Sequence, residues 1–296
     1  MSRNYLFVDA DLIVHTGEEA RQRVEKTNDA QYLEGEKGVV KVPRSRWSTA
    51  QQYEKKTWMQ QGAHTTDDRN EEHRAGFDDY RAIAGRKFAR AIELGCGPFT
   101  NLRVLGRYAE IGRGVLLDPL TDSYLSHRHC SYRHGHVKLA NSPLNARLGG
   151  WLPARAARRL IRIAWPRLLE SGIPLEQRIA SPIEEMPDCG TFDLVVMINV
   201  LEHCYDIERI FANVLRLARP GTVFVFHDRL YDPCEMRHEL ATRFDAGHPL
   251  RIAGPVITEF LEKHFESLAE SRVEVVDQVQ GIDLAELGIY YIGVRR

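Results

Sequence analysis

The 296-residue sequence has no long apolar run. None of its apolar stretches approaches the roughly 20 residues that a membrane-crossing helix needs, so no integral membrane role is expected. Its start, Met1-Ser2-Arg3-Asn4, leads only to Leu6–Val8, broken at once by Asp9 and Asp11. That is too short and too charged for a signal peptide. No charge of one sign dominates: 40 Lys and Arg stand against 41 Asp and Glu, for a net charge of -1. Bulk charge therefore points to no polyanionic partner, and a nucleic-acid role would need a local patch. Cysteine pairs at CxxC spacing are missing as well. The five cysteines lie far apart, which suits reduced thiols and a cytoplasmic location. Internal repeats and low-complexity tracts are lacking, and the length suffices to bury a full core.

What is present is an alternation of strands and helices. Short strands are expected at Leu6–Val8 and at Gly38–Val42, the latter stopped by Pro43, and a helix from about Ser48 to Gln61. The polar segment 62–72 reads as a loop and Phe77–Ile83 as a short helix. From Ala89 the pattern becomes regular. Ala91-Ile92-Glu93-Leu94 is a short buried strand, and Thr100 is placed to cap a helix beginning near Asn101. Gly114–Asp118 is a strand ended by Pro119. Phe192–Ile198 is apolar on both faces, as in a parallel sheet. A helix over 206–218 repeats Ile207, Ile210, Phe211, Val214 and Leu215 at helical spacing, and Arg219-Pro220-Gly221 stops it. Strands follow at Thr222–Phe226, Val273–Val279 and Ile289–Val294, with a helix at Thr258–Phe265. Alternation of this kind means a parallel α/β sheet, here closed by a terminal hairpin.

The strand at 91–94 runs into Gly95-Cys96-Gly97-Pro98. A glycine-rich turn between strand and helix exposes backbone N–H groups to a nucleotide-like ligand. Gly95 permits the tight turn, and Gly97 leaves room for close approach. Gly-x-Gly alone also fits a plain strand-to-helix turn. A dinucleotide fingerprint would want a third glycine three residues after the second. Thr100 stands there, which disfavours NAD. Asp118 ends the next strand, 23 residues after Gly95, where a carboxylate can take hydrogen bonds from both ribose hydroxyls. Taken together, these features favour a nucleoside ligand.

A third feature points to a family. Ile183-Glu184-Glu185-Met186-Pro187, then Thr191 through Asn199-Val200-Leu201-Glu202-His203, then Arg219-Pro220-Gly221, resembles the class I S-adenosylmethionine-dependent methyltransferases of bacterial small-molecule type. Glu93 and Asp118 match the acids that this family shows. The resemblance covers about 88–227, and Phe99 departs from it where many members have a glycine. It implies S-adenosylmethionine as cofactor. Glu93, Gly95 and Gly97 would shape the methionine end, Asp118 would hold the ribose, Ser181, Pro182 and Ile183 would lie beside the adenine, and Asn199 would sit near the sulfonium. The segment Trp47–Trp58 resembles the lead-in of some of these enzymes, where Tyr53 and Trp58 would face the cofactor and substrate; packing on the sheet explains them equally well. With the resemblance, the expected fold is a doubly wound, Rossmann-like α/β seven-stranded sheet with a terminal antiparallel β-hairpin. An N-terminal extension and cap is expected over 1–87, and a methyltransferase domain over 88–296 with a basic helical insertion at 126–175.

Methyl transfer from a sulfonium is an in-line displacement, and an oxygen or ammonium acceptor must also lose a proton. His203 and His227 follow successive strands on the side where open α/β sheets bind ligands, so both are candidate bases, with Asp228 as a substrate-binding carboxylate. Leu-Glu-His occurs at this point in many methyltransferases without such a role. Glu202, His203 and His248 suggest a metal set, since a Glu-x-x-Glu-His pattern binds a divalent ion in some methyltransferases. Asn199 replaces its first carboxylate, so no metal is expected. Asp9-Ala10-Asp11 lacks a downstream phosphatase partner and reads as a polar turn.

Residues 133–170 carry eight Lys and Arg against Glu170 alone, leaving about +7. A helix over Pro153–Leu169 with outward arginines would serve as a solvated or homodimer surface, or as a lid recognising an anionic acceptor. Membrane-surface docking by it is limited by Pro166 and by few large apolar residues. The expected partner is a small-molecule substrate, with no nucleic acid. An RNA methyltransferase, a Rossmann-like NAD-dependent oxidoreductase and a non-catalytic module are the alternatives. Against a DNA amino-methylase, the strand at 192–198 does not end in an Asp/Asn-Pro-Pro-aromatic motif.

Overall fold

A computed structural model of the chain describes residues 5–27, 38–60, 69–139, 172–279 and 282–296. The chain begins with β1 (Leu6–Val8), β2 (Val14–Thr16), α1 (Gly17–Thr27), β3 (Gly38–Val39) and α2 (Arg44–Met59). Next come α3 (Arg69–Gly76), a 3-10 turn at Asp78–Ile83, β4 (Lys87–Leu94), α4 (Leu102–Leu105), β5 (Glu110–Leu117), α5 (Thr121–Tyr124) and β6 (His136–Lys138). After 171 the order is β7 (Gly172–Ile179), β8 (Phe192–Ile198), α6 (Ile207–Leu217), β9 (Ala218–Leu230), α7 (Pro233–Thr242), β10 (Arg243–Asp245) and β11 (Arg251–Ile252). Helix α8 (Gly254–His264) and strands β12 (Phe265–Val279) and β13 (Ile282–Arg295) end it.

The main sheet has eight strands in the order β12-β13-β9-β8-β4-β5-β7-β6. This corrects the expected seven. The eighth, β6, is three residues long and pairs antiparallel with β7 at the edge, too short to stand out within the long interval before 172. The β4/β5, β4/β8, β5/β7 and β8/β9 ladders are parallel, while β13 runs antiparallel to both β9 and β12. The chain runs outward from β4 through β5 and β7, then returns to β8 on the other side of β4. That reversal opens a crevice at the carboxyl ends of β4 and β8, where such sheets take ligands.

Alternation along the central strands fills two cores. Phe192, Val195 and Met197 of β8 join Phe224 and Phe226 of β9 on one face. Leu194, Val196 and Ile198 join Val223 and Val225 on the other. Both faces are covered, so these strands read as continuous apolar runs. Asp206 caps α6 by accepting from Arg209 N–H at 3.2 Å.

The N-terminal segment, expected as an extension over 1–87, shares its small sheets with later residues. β1 lies between β2 and β10, and β3 pairs with β11. Asp9 forms the expected turn, its Oδ1 accepting from Asp11 and Ile13 N–H. The helix anticipated over Pro153–Leu169 lies outside the described residues. Among the described residues no helix is long and apolar enough to cross a membrane.

Candidate active site

Strand β4 stops where Gly95 turns the chain at φ +68, and Gly97 adds a second left-handed residue at φ +52. Gly95 and Cys96 N–H both reach back to Leu117 O, at 2.8 and 3.2 Å, which locks the turn onto the end of β5. A Cβ on Gly95 would sit 2.6 Å from both Val200 methyl carbons; one on Gly97 would meet no protein atom within 4 Å. The first glycine is needed by the protein's own packing, and the second faces open space.

Asp118 couples the two strand ends. Its Oδ2 accepts from Gly97 N–H at 3.1 Å and its Oδ1 from Leu120 N–H at 2.8 Å. Burial pushes its carboxyl up to about 6, against the pull of these two bonds. Each oxygen keeps a lone pair for a further donor.

Glu93 is buried on the sheet side of the turn and does not line the cavity described below. Its Oε1 accepts from Asn101 N–H at 2.8 Å and from the Asn101 side chain at 3.1 Å. Its Oε2 takes Leu102 N–H at 3.2 Å and the Thr100 hydroxyl. Glu93 therefore satisfies the open N–H groups that start α4, a capping task expected of Thr100. The Thr100 hydroxyl itself accepts from Leu102 N–H at 3.2 Å. Burial raises the Glu93 carboxyl to about 7 despite these bonds. Phe99 sits with its ring 6.0 Å from that of Trp58.

At the end of β8, Asn199 adopts φ +57, a conformation Asn tolerates better than most residues. The turn beyond it hangs on Asp228, whose Oδ2 accepts from Val200 and Leu201 N–H at 3.1 and 2.7 Å. His227 lies beneath, its ring stacked 3.9 Å from Tyr290 and its Nδ1 2.9 Å from Ile289 O. Burial drives this imidazole down to about 4. His73, its ring 4.8 Å from that of His227, is pushed down to about 3 by burial. Both are neutral at physiological pH.

Helix α2 lies over the crevice and is docked on the 245–248 loop. Arg46 donates to Ala246 O at 2.7 Å and to Asp245 O, and the Tyr53 ring fills the space where a Gly247 Cβ would stand. This docking brings Glu54 to His203, with Oε1 3.4 Å from Nδ1. His203 Nδ1 is also 3.1 Å from Gly247 O, and its ring is 4.6 Å from that of His248. His248 Nδ1 lies 2.6 Å from Asp245 Oδ2, and its Nε2 lies 3.4 Å from Glu202 Oε1. Burial alone would lower the His248 imidazole, but the two carboxylates raise it to about 9. Burial works against ionisation of Glu202, yet the nearby charges of His248, Arg229 and His203 hold it well below its usual range.

One cavity of about 280 Å³ joins these parts. Gly95, Gly97, Asp118, Pro182, Ile183 and Asn199 line it together with Tyr53, Glu54, Trp58, His203 and His248. Of the residues expected at the site, Glu93, Ser181, His227 and Asp228 do not line it. Glu54, His73, Glu184 and His248 do. Glu184 Oε1 accepts from Tyr205 N–H at 2.6 Å, while its buried Oε2 has no hydrogen-bond partner. Nothing local in the sequence marks Glu54 or His73, which reach the cavity only through the packing of α2 and α3.

A family model described as "Methyltransferase domain" matches residues 68–272, more than half of the chain. No curated protein matches. Solved structures with similarity to the chain include the N-methyltransferase NodS from Bradyrhizobium japonicum with S-adenosyl-L-homocysteine, 13% identical, covering 83% of this chain and 97% of that one at a TM-score of 0.45. Another is the 1,6-didemethyltoxoflavin-N1-methyltransferase from Burkholderia thailandensis, 13% identical over 86% of this chain and 91% of that one, TM-score 0.46. A SAM-dependent methyltransferase from Leishmania major is 14% identical over 99% and 97%, TM-score 0.45.

Proposed function

The chain belongs to the methyltransferase-domain family, and from that premise we propose that it moves a methyl group from S-adenosylmethionine to an oxygen or nitrogen of a small molecule. The observation that carries this reading is the single cavity running from Gly97 and Asp118 to His203 and His248 beneath α2. A donor held against the glycine turn and Asp118 and an acceptor beside His203 would share one chamber, which is what an in-line displacement needs.

In this reading the Gly95–Gly97 turn lets the methionine part approach the backbone, and Asp118 accepts from both ribose hydroxyls. Pro182 and Ile183 flank the adenine, and Asn199 stands near the sulfonium. Glu93 acts from behind, holding the turn's far side to α4. Tyr53 and Trp58 roof the chamber and keep water from the reacting atoms. His203 stands at the acceptor's end, where the acceptor's proton must leave. His227 and Asp228 serve one step removed, the first as a neutral ring under the floor and the second as the anchor of the turn after β8. Arg69, stacked 4.4 Å over the Trp58 ring, and Arg229, its Nε 3.7 Å from Glu202 Oε1, also line the chamber.

The chemistry follows from this arrangement. The acceptor's lone pair forms the new bond to the methyl carbon, the C–S bond breaks with its electrons going to sulfur, and the acceptor's proton passes away through the His203 end. The test is incubation with methyl-labelled S-adenosylmethionine and a metabolite extract, with total RNA in a parallel reaction. Label in a low-molecular-weight product is expected; label in RNA alone overturns the small-molecule reading.

A further inference from the structure

Strand β12 is the outermost strand of the main sheet and pairs with β13 on one side only. It runs for 15 residues without a proline. From Glu266 to Glu274 every residue is exposed except half-buried Ala269. A strand edge of that length presents unpaired N–H and C=O groups and is a template for a further strand. We propose that β12 is the seam of a homodimer, in which two copies of the chain pair their β12 strands antiparallel about a two-fold axis at Ser271.

The charges on the strand choose both the partner and the register. Glu270 and Arg272 stand two residues apart on one face of β12, with Arg272 Nε 3.0 Å from Glu270 Oε1. About an axis at Ser271, Glu270 of each copy lies opposite Arg272 of the other. Both cross-strand pairs then join opposite charges, which stabilises the pairing, and the four groups form a closed ring of alternating sign. An axis at Glu270 or at Arg272 would set like charges against each other. A second copy of the chain therefore fits this edge as its own complement, the self-matching surface that a two-fold dimer requires.

Two further observations support the same axis. Leu268 and Val273 are large apolar residues left 37% and 42% exposed. Val273 of each copy falls opposite Ala269 of the other and next to its Leu268, so the seam removes both from water. The bulge between Ser267 and Ala269 lies outside the 269–273 core of the pairing. The hairpin also reaches past the sheet. β13 follows β9 only as far as Leu287 and Leu230, whereas β12 and β13 stay paired from there to Val279 and Ile282. A two-stranded ribbon on its own is marginally stable in water. With the axis at Ser271, residues 274–276 of its first strand run beside residues 266–268 of the second copy, which supplies a third strand. Strands β13 and β9 separate the seam from β8 and its cavity, so the pairing is independent of the methyl-transfer reading.

The test is size-exclusion chromatography with light scattering on the full-length chain, for wild type, Glu270→Arg and Arg272→Glu. Wild type is expected at twice the monomer mass. Each single reversal sets like charges opposite each other at two places and should weaken the dimer at least about 10-fold. An equimolar mixture of the two variants restores both opposite-charge pairs, and a mixed dimer of wild-type mass is expected. Circular dichroism reports that each variant is folded; both changes lie on an exposed edge. A wild type that stays monomeric at its highest soluble concentration overturns the proposal. So does a dimer that survives Arg272→Glu, which must use another surface. A dimer that survives Glu270→Arg alone is paired about Val273, with Glu274 facing Arg272, and overturns the axis at Ser271. Variants that stay monomeric when mixed overturn it as well.

Discussion

The two glycines of the β4 turn should respond differently to the same methyl group. Both adopt positive φ, +68 at Gly95 and +52 at Gly97, so alanine at either position costs about 1–2 kcal/mol of backbone strain. At Gly97 that is the whole effect on the fold, because a Cβ meets no protein atom within 4 Å. At Gly95 the Cβ would lie 2.6 Å from both Val200 methyl carbons, and overpacking adds about 1–3 kcal/mol. Gly97→Ala should therefore lower the melting temperature by about 2–3 °C, and Gly95→Ala by clearly more. Binding should follow the opposite order relative to stability. Gly97 lines the cavity, so its new methyl occupies space the cofactor needs and should weaken S-adenosylhomocysteine at least about 10-fold, or 1.4 kcal/mol. Calorimetry on the folded protein and a ligand-free melt separate the two quantities. Gly97→Ala binding as tightly as wild type would refute the placement of the cofactor against this turn.

Other substitutions test the groups around it. Cofactor affinity should rise as pH increases through about 6, where Asp118 ionises and becomes acceptor-only; in Asp118→Asn the rise should vanish and affinity should fall about 10–100-fold, read by titration at pH 5 and 8. Glu93, raised from 4.5 to about 7 by burial, makes its own contribution to stability greatest below pH 4.5. About 3 kcal/mol is then lost as pH climbs from there through 7. Glu93→Gln should flatten that slope in urea unfolding, and an unchanged slope would contradict the assignment. Asp228→Ala leaves Val200 and Leu201 N–H without their acceptor; a loss of about 2–4 kcal/mol is expected, checked by denaturant midpoint. A loss below about 0.5 kcal/mol would show that water or a neighbour replaces it.

The fold was legible where one element states its own environment. Phe192–Ile198 is apolar at every position except Asp193 because both faces of β8 are covered, and Asp206 with Arg219-Pro220-Gly221 brackets α6. Edges were less readable. Three-residue β6 has no periodicity of its own, and β1 and β3 take their partners from β10 and β11, far along the chain. The glycine turn and Asp118 were legible because their chemistry depends on local spacing. Glu93 was legible as a residue of the turn but not in its task, since only the structure shows its carboxylate spent on α4. Glu54 and His248 meet His203 through the docking of α2 on a loop, a long-range contact that no local pattern encodes.

The most direct test of the account is a crystal structure of the chain with S-adenosylhomocysteine bound. The ribose hydroxyls should lie on Asp118, the adenine against Pro182 and Ile183, and the sulfur near Asn199, facing His203. Cofactor bound outside the cavity, or turned with its adenine toward His203, would contradict it.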